Sequence, residues 1–235
     1  MNSMKKYLIV VAGGKGTRMG GEMPKQFQLL AGKPVIMVTL ERLYAIDPSM
    51  QFILVLPEEH VELWTELCHK HEFVVPLSIA HGGATRFHSV QNGLALVDDI
   101  DDALVGIHDG VRPFVSRQVV DDCFREAWIH GAAIPMVDVQ DSLRHIVGGN
   151  GVTEVVPRDR YRLVQTPQVF RLSVIRPAYE QRYVEGFTDD ASVVEALGGK
   201  VVAVNGNREN IKLTTPFDLQ IAKTLIECWI PQQEI

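Results

Sequence analysis

The stretch VVAGGKGTRMGGEMPKQF, Val10 to Phe27, combines five glycines with two lysines and one arginine in a single loop after a short apolar run. A glycine-rich turn after a strand lets backbone N–H groups converge on anionic oxygens, because no Cβ atom blocks their approach. Lys15, Arg18 and Lys25 add fixed positive charges to the same loop. Glycines beside fixed cations predict a phosphate site, and a triphosphate suits this charge best.

The spacing of the glycines argues against the two commonest nucleotide loops. A dinucleotide-binding loop needs G-x-G-x-x-G, and counting from Gly14 and Gly16 puts Met19 where the third glycine belongs. No acidic residue follows about 20 residues later either, because Lys33 and Pro34 stand there. A P-loop needs G-x-x-x-x-G-K-[ST], a string that does not occur in this sequence. The loop is therefore predicted to hold phosphates through its own glycines and cations.

Composition limits the partners and the compartment. The chain has 235 residues, 46% of them hydrophobic, and a formal net charge of −6. We therefore expect small-molecule partners and no nucleic acid, because no basic run is present. Cys68, Cys123 and Cys228 lie far apart without a CxxC pair, which favours a reducing cytoplasm over a disulfide framework or a zinc site. Since no segment is long enough to span a membrane, no membrane partner is expected.

Short aliphatic runs alternate with segments of helical period along most of the chain. This alternation predicts an α/β fold with a Rossmann-like, mostly parallel twisted sheet and helices on both faces. The predicted strands are Tyr7–Ala12, Gln51–Leu56, Phe73–Ile79, Ala103–His108, Ala132–Val137, Lys200–Val204 and Glu209–Lys212. The predicted helices begin at Pro34, Glu58, Arg86, Ser116, Arg171, Asp189 and Thr214.

One stretch departs from this alternation of predicted strands and helices. In DSLRHIVGGNGVTEVVPRDR, β-branched and turn residues flank GGNG, which predicts a hairpin of Ser142–Val147 against Val152–Val156. We interpret residues 139–160 as a protruding β-arm that contacts a second subunit. The chain, residues 1–235, is then a single domain with one arm, and the protein is predicted to be a homodimer.

The string AGGKGTRMG…PKQF resembles the signature of nucleotidyltransferases that join a nucleoside triphosphate to a sugar or polyol phosphate. GGATRFHSVQNGL, HDGVRPFVS, DSLR, VPRDR, QTPQVF, TDDASVVE and NIKLTTPFDL resemble, in order, the motifs of the 2-C-methyl-D-erythritol 4-phosphate cytidylyltransferases. The resemblance covers almost the whole chain and implies the fold of the nucleotide-diphosphosugar transferases. It also implies transfer of CMP from CTP to methylerythritol phosphate, with release of pyrophosphate, in non-mevalonate isoprenoid biosynthesis.

The resemblance implies which residues carry the chemistry. The acceptor phosphate is already an anion, so the reaction needs no general base; it needs charge neutralisation at the α-phosphorus. Arg18, Lys25 and Lys212 are carried over as the catalytic cations. Magnesium is the implied cofactor and would be held mainly by phosphate oxygens. Asp109 is expected near the magnesium, and no firm protein ligand is assigned to it.

The binding residues are carried over from the family in the same way. Those expected at the nucleotide are Ala12, Gly13, Gly14, Gly16, Gly82, Gly83, Ser89, Asp109 and Gly110. Those expected at the acceptor are Asp109, Thr188, Lys212 and, reaching across a dimer from the arm, Ser142 and Arg158. The chain departs from the family at Ala84, where many relatives carry a carboxylate, and at DSLR, where the family usually has D-T-x-K. Cytosine selection is therefore expected to rest on backbone groups.

Other functions remain open on the residues alone. Ribitol-5-phosphate cytidylyltransferases share the first loop and TPQ, and would differ only in the acceptor pocket. A nucleotide-binding regulator without turnover and a dinucleotide-dependent oxidoreductase come from different classes. Single residues also have structural explanations, since Thr188 or Asp189 before DASVVEAL reads as a helix N-cap.

Overall fold

The computed structural model describes residues 4–13, 23–100, 103–149 and 151–229. Gly14, Gly16 and Arg18 of the predicted phosphate loop therefore lie outside the described residues. Within the described ranges, no helix has the length and apolar character needed to cross a membrane.

The described residues form twelve strands and seven α-helices. The strands are β1 (Lys6–Val11), β2 (Leu29–Leu30), β3 (Lys33–Pro34), β4 (Gln51–Leu56), β5 (Leu77–His81), β6 (Leu104–Asp109), β7 (Ala132–Asp138), β8 (Arg144–Val147), β9 (Val152–Val155), β10 (Arg162–Val164), β11 (Gln168–Arg171) and β12 (Val202–Asn205). The helices are α1 (Val35–Ile46), α2 (Val61–Lys70), α3 (Arg86–Leu94), α4 (Arg117–His130), α5 (Leu172–Tyr179), α6 (Asp190–Ala196) and α7 (Pro216–Trp229). Short 3-10 helices lie at Lys25–Phe27, Glu58–His60 and Arg158–Arg160.

Eight of the strands in the described part of the chain form one sheet, in the order β10-β7-β11-β6-β1-β4-β5, with β12 also paired to β7. β1, β4, β5 and β6 are parallel, and β12 is parallel to β7. β10 and β11 are antiparallel to their neighbours. The predicted α/β class and mostly parallel sheet are confirmed.

The sequence of β1 explains why it lies in the interior of the sheet, between β4 and β6. Its run KYLIVV is apolar on both faces, as expected for a parallel strand that is covered by helices on both sides. Leu8 and Val10 pack into a core with side chains of α1, α2 and α4. Tyr7 and Ile9 face the opposite core, which α3, α5 and α6 cover.

Helix α3 packs very closely against this central strand. A Cβ atom at Gly93 would lie only 2.8 Å from Cγ2 of Ile9, so a larger residue would push the helix away from the sheet. The N-cap of α3 is Thr85, whose hydroxyl accepts a hydrogen bond from the backbone N–H of His88. Close packing and capping together place the first turn of α3 at the carboxyl edge of the parallel strands.

Some sequence predictions are wrong in detail. Glu209–Lys212 is not a strand, because its backbone turns tightly, with Ile211 N–H donating to the Glu209 carbonyl at 2.7 Å. The strand predicted at Phe73–Ile79 is Leu77–His81, because Pro76 has no N–H to donate to a strand ladder. The antiparallel strands β10 and β11 were not predicted.

The predicted hairpin is confirmed as a structural element. β8 and β9 pair from Arg144 opposite Val155 to Val147 opposite Val152, and they form a two-stranded sheet separate from the large one. Its first strand begins at Arg144 instead of the predicted Ser142. The use of this arm in a dimer stays a prediction.

Candidate active site

Two adjoining cavities open at the carboxyl edge of the parallel strands, the place where open α/β sheets bind ligands. The first cavity, of about 360 Å³, has Ala12, Gly13, Lys25, Gly83, Ala84 and Ser89 in its wall. The second cavity, of about 320 Å³, has Arg112, Gln165, Thr166, Gln168, Thr188 and Asp189 in its wall. Arg86, Asp109 and Lys212 line both cavities, and we call these three residues the junction.

Asp109 is the last residue of β6 and the centre of the junction. Its Oδ2 atom lies 3.0 Å from Nε of Arg112 and 3.1 Å from Nζ of Lys212. Its Oδ1 atom lies 4.0 Å from Nε of Arg86. Its side chain is only 9% exposed. Burial alone would raise the pKa of Asp109, but the charges of Lys212, Arg86 and Arg112 outweigh it and hold the pKa well below its usual value. Asp109 is therefore a carboxylate at neutral pH.

A buried polar chain fixes the backbone beneath Asp109. The backbone N–H of Asp109 donates to Oγ1 of Thr166 at 3.1 Å, and Thr166 Oγ1 lies 3.1 Å from Nδ1 of His108. The other ring nitrogen of His108, Nε2, lies 3.0 Å from the carbonyl of Arg112, which can only accept a hydrogen bond. His108 is therefore neutral with its proton on Nε2, and Thr166 donates to Nδ1. Burial lowers the pKa of His108 to about 4.

One part of the wall of the first cavity is the loop before α3, whose backbone is held in place by small residues. The Gly83 N–H donates to Oγ of Ser89 at 3.0 Å, and Ser89 in turn donates to the carbonyl of Thr85. A Cβ atom at Gly83 would lie 2.4 Å from the Cβ of His88, so only glycine fits there without displacing α3. Ser89 thus lines the cavity and also fixes the shape of the loop that precedes α3.

Lys25 and Lys212 reach the first cavity from two distant segments. Lys25 begins a short 3-10 helix whose Phe27 is buried and packs edge-on against His60, with ring centroids 5.6 Å apart. Lys212 lies in the turn before α7, where Leu213 N–H donates to the carbonyl of Val111 at 2.9 Å. Aromatic packing therefore holds the segment of Lys25 in place, and a backbone hydrogen bond holds the segment of Lys212 in place.

Thr188 and Asp189 lie together in the wall of the second cavity. Asp189 is the N-cap of α6: its Oδ1 accepts from Ser192 N–H, and Ser192 Oγ accepts from the Asp189 N–H, which completes a capping box. Asp189 also accepts from Nε2 of Gln168 at 2.9 Å. Thr188 is exposed, and its backbone N–H donates to Ser192 Oγ at 3.1 Å.

Several predicted site residues lie outside the walls of both cavities. Gly82 donates its N–H to the Leu56 carbonyl, and Gly110 packs against Ala12 with its carbonyl bonded to Thr39. Both glycines therefore contact or adjoin residues of the first cavity wall without lining it themselves. Ser142 and Arg158 lie on the arm, where Arg158 donates to the carbonyl of Gln140.

The sequence prediction missed Arg86 and Arg112. Arg112 follows Asp109 by three residues and reaches it through an ion pair, a spacing that could have drawn attention to it. Arg86 stands in the first turn of α3, where the helix dipole is positive and a cation is unfavourable without a nearby anion. That unfavourable position is the sequence feature that could have identified Arg86 as a candidate site residue.

A mostly parallel sheet with a cation-rich double cavity at the carboxyl edge of its parallel strands defines a nucleotidyltransferase-like α/β protein. Comparisons with known proteins narrow this class. The family model for 2-C-methyl-D-erythritol 4-phosphate cytidylyltransferase (IspD) matches residues 7–228. A 2-C-methyl-D-erythritol 4-phosphate cytidylyltransferase of Phocaeicola vulgatus is 55% identical over 223 residues, which are 95% of this chain and 100% of that protein.

Solved structures agree with the sequence comparison. The crystal structure of 4-diphosphocytidyl-2C-methyl-D-erythritol synthase from Anaerococcus prevotii superposes with a TM-score of 0.79 at 26% identity, covering 95% of this chain and 96% of that one. The 2-C-methyl-D-erythritol 4-phosphate cytidylyltransferase of Thermus thermophilus superposes with a TM-score of 0.73 at 30% identity, covering 95% and 100%. The chain therefore belongs to the 2-C-methyl-D-erythritol 4-phosphate cytidylyltransferase family, as its motifs predicted.

The buried neutral His108 makes stability dependent on pH. Its folded pKa is about 4, below the ordinary value of 6.5, so between these values only the unfolded chain takes up the proton. We expect the free energy of unfolding to fall by about 2–3 kcal/mol between about pH 7 and about pH 4.5 through this residue alone. Urea denaturation at both pH values should show this loss in the wild type and not in His108→Gln, whose amide can make both hydrogen bonds. His69→Gln, at an exposed position, is the control, and its free energy of unfolding should fall between the two pH values as much as that of the wild type. An equal fall in the free energy of unfolding in wild type and His108→Gln would contradict the neutral state assigned to His108.

Proposed function

We propose that this protein transfers CMP from CTP to 2-C-methyl-D-erythritol 4-phosphate, giving 4-diphosphocytidyl-2-C-methyl-D-erythritol and pyrophosphate, for isoprenoid biosynthesis. Membership of the cytidylyltransferase family supports the substrates and the reaction. The chain acts as one nucleotidyltransferase domain, residues 1–235, with small molecules and a second copy as partners and no nucleic acid or membrane among them. Its three unpaired cysteines suit a cytoplasmic location.

The observation that best supports the proposal is the positive charge of the two cavity walls. Among the described residues of their walls, four side chains are cationic and two are carboxylates, although the chain as a whole has a net charge of −6. A local surplus of positive charge in an acidic protein suits two anionic substrates. Three of these charged residues, the junction, line both cavities, so phosphates bound on the two sides would meet there.

The reaction is an in-line displacement at the α-phosphorus of CTP. An oxygen of the acceptor phosphate forms a bond to phosphorus while the bond to the β-phosphate oxygen breaks, and pyrophosphate leaves with that electron pair. The nucleophile needs no deprotonation, because a phosphate monoester is largely ionised at neutral pH. Lys25 and Lys212, together with Arg18 of the preceding loop, would neutralise the charge that builds on the equatorial oxygens.

Magnesium would be held by Asp109 and by phosphate oxygens of CTP. Mg²⁺ is commonly bound by one or two carboxylates together with substrate phosphates, and Asp109 is a carboxylate at the junction. No group of three or more potential metal-ligating side chains occurs in the described ranges. The ion would screen the triphosphate and steady the leaving pyrophosphate.

Pyrophosphate release by the purified protein tests the proposal directly. CTP and magnesium should be supplied with 2-C-methyl-D-erythritol 4-phosphate in one reaction and with ribitol 5-phosphate in a parallel one. We expect release with the first acceptor only. Release with ribitol 5-phosphate alone would keep the mechanism and change the substrate, whereas the absence of release with both acceptors would contradict catalysis.

Lys25 should be required for turnover and dispensable for folding. Removing one donor that stabilises transition-state charge lowers turnover by roughly 100- to 1,000-fold, so Lys25→Ala should show a loss of that order in steady-state kinetics. Circular dichroism should show an unchanged fold. Lys70→Ala removes an exposed lysine at the end of α2 and should behave as wild type. Near-normal turnover of Lys25→Ala would reject its catalytic role.

We also propose that the arm of each subunit, residues 139–160, completes the acceptor site of the other. An isolated two-stranded hairpin is only marginally stable in water, and this one exposes Ile146 by 67% and Val155 by 75%. Pairing with a second copy would cover these side chains. Ser142 and Arg158 line neither cavity of their own chain, which leaves them free to approach the partner's acceptor phosphate.

Mixed dimers test the shared site. Arg158→Ala and Lys25→Ala chains should each be nearly inactive alone. If Arg158 acts across the dimer, co-expression creates mixed dimers with one intact site and one doubly damaged site, so activity should return to about a quarter of wild type at equal chain amounts. If Arg158 acts within its own chain, no mixed dimer contains an intact site and activity stays near zero.

A further inference from the structure

Arg86 makes an ion pair that connects the junction to the protein interior. Its Nη1 and Nη2 atoms donate to the two carboxylate oxygens of Asp190 at 2.7 and 2.6 Å. The Asp190 side chain is fully buried, whereas that of Arg86 is 30% exposed. The pair therefore has one end in the core and the other in the wall of both cavities.

Tyr179 fixes the buried end of this pair. Its hydroxyl donates to Oδ1 of Asp190 at 2.6 Å, and its ring stacks on Phe87 with centroids 4.7 Å apart. Burial, followed by the charge of Asp190, raises the pKa of Tyr179 well above its usual value, so the hydroxyl stays protonated and donates. Asp190 thus receives hydrogen bonds from two directions, which fixes the plane of its carboxylate.

The Arg86 guanidinium has N–H donors that its pair with Asp190 does not use. Arginine has five N–H donors, and the bidentate pair with Asp190 uses two of them. Nε lies 4.0 Å from Oδ1 of Asp109, a distance too long for a hydrogen bond. A buried bidentate pair that served only stability would be a poor choice, because hydrophobic side chains of similar size often stabilise a core equally well.

We propose that Asp190 and Tyr179 are positioning residues that hold the Arg86 guanidinium at the junction, where it donates to a non-bridging oxygen of the α-phosphate of CTP. This inference rests on the proposed function and deepens it. The contact exists in the bound nucleotide and strengthens as the pentacovalent phosphorus gains charge. Arg86 moves no proton; the bonds made and broken are those of the displacement at phosphorus.

The role of Asp190 also explains the unfavourable position of Arg86 on α3. A cation in the first helical turn opposes the helix dipole, and the buried carboxylate compensates for that opposition. The same carboxylate aims the guanidinium, since a bidentate pair fixes both its distance and its plane.

Replacing Asp190 by Asn tests the positioning role. Asp190→Asn keeps Arg86 but breaks the bidentate pair, so we expect roughly 100-fold lower kcat and roughly tenfold weaker binding of CTP with magnesium by calorimetry. The KM for the acceptor should change little. Tyr179→Phe, which removes one hydrogen bond to Asp190, should shift the same two quantities in the same direction by a smaller factor.

The double variant Arg86→Gln/Asp190→Asn separates positioning from folding. It removes both charges, so the guanidinium that Asp190→Asn leaves without its carboxylate partner is absent as well, and the double variant decides the question even if Asp190→Asn does not fold. It should lose about as much kcat and CTP affinity as Asp190→Asn, because aiming Arg86 is the only catalytic task of Asp190. Asp99→Asn unpairs Arg176 away from both cavities and is the matched control, with wild-type kinetics expected.

Two results would overturn the inference. The first is a folded Asp190→Asn protein whose kcat and CTP affinity lie within about twofold of wild type. The second is a double variant with wild-type values of both quantities. If the wild type releases no pyrophosphate with either acceptor, the proposed function fails on its own, and the calorimetric affinities for CTP still decide the role of Arg86.

Discussion

The negative charge of Asp109 is the constraint on which the site depends. A carboxylate at the end of a buried strand is stable only where cations and hydrogen bonds replace the water it has lost. Three cations meet this need, and they come from three segments: Arg86 from the start of α3, Arg112 from the turn after β6, and Lys212 from the turn before α7. The same three segments contribute to the walls of the two cavities. Stabilising one carboxylate therefore also assembles the positive surface that phosphates need.

The sheet provides the place for this assembly. Parallel strands end at one edge, so the residues after β1, β5 and β6 meet there without any long excursion of the chain. The antiparallel β11 lies directly beside β6, and the segment that leads into it brings Thr166 next to Asp109. The polar chain from His108 through Thr166 then fixes the backbone of Asp109, so that the carboxylate has one orientation.

The two cavities differ in how their walls are made. The wall of the first includes the backbone around Gly83, which is held by the bonds of Ser89 and has no room for a side chain, and this suits recognition of a base and phosphates by N–H groups. The wall of the second is formed by side chains with amides, hydroxyls and a capping carboxylate, which suits a polyol. The wall that they share carries the charged side chains of the junction.

The amino-acid sequence by itself determined the class of fold, the family, and the positions of Lys25, Asp109 and Lys212 in one site. These are local or motif-based features: continuous apolar runs such as Gln51–Leu56, glycines after a strand, and strings of motif residues. Only the tertiary structure decided which side chains meet. Asp190 lies 104 residues from Arg86, and nothing in the sequence around either residue names the other as its partner. The short strands β10 and β11 form because they complete the sheet beside β6 and β7, and no local periodicity marks them. Burial, which strengthens the ion pairs of Asp109 and Arg86, is likewise a property of the packed molecule and not of any segment of its sequence.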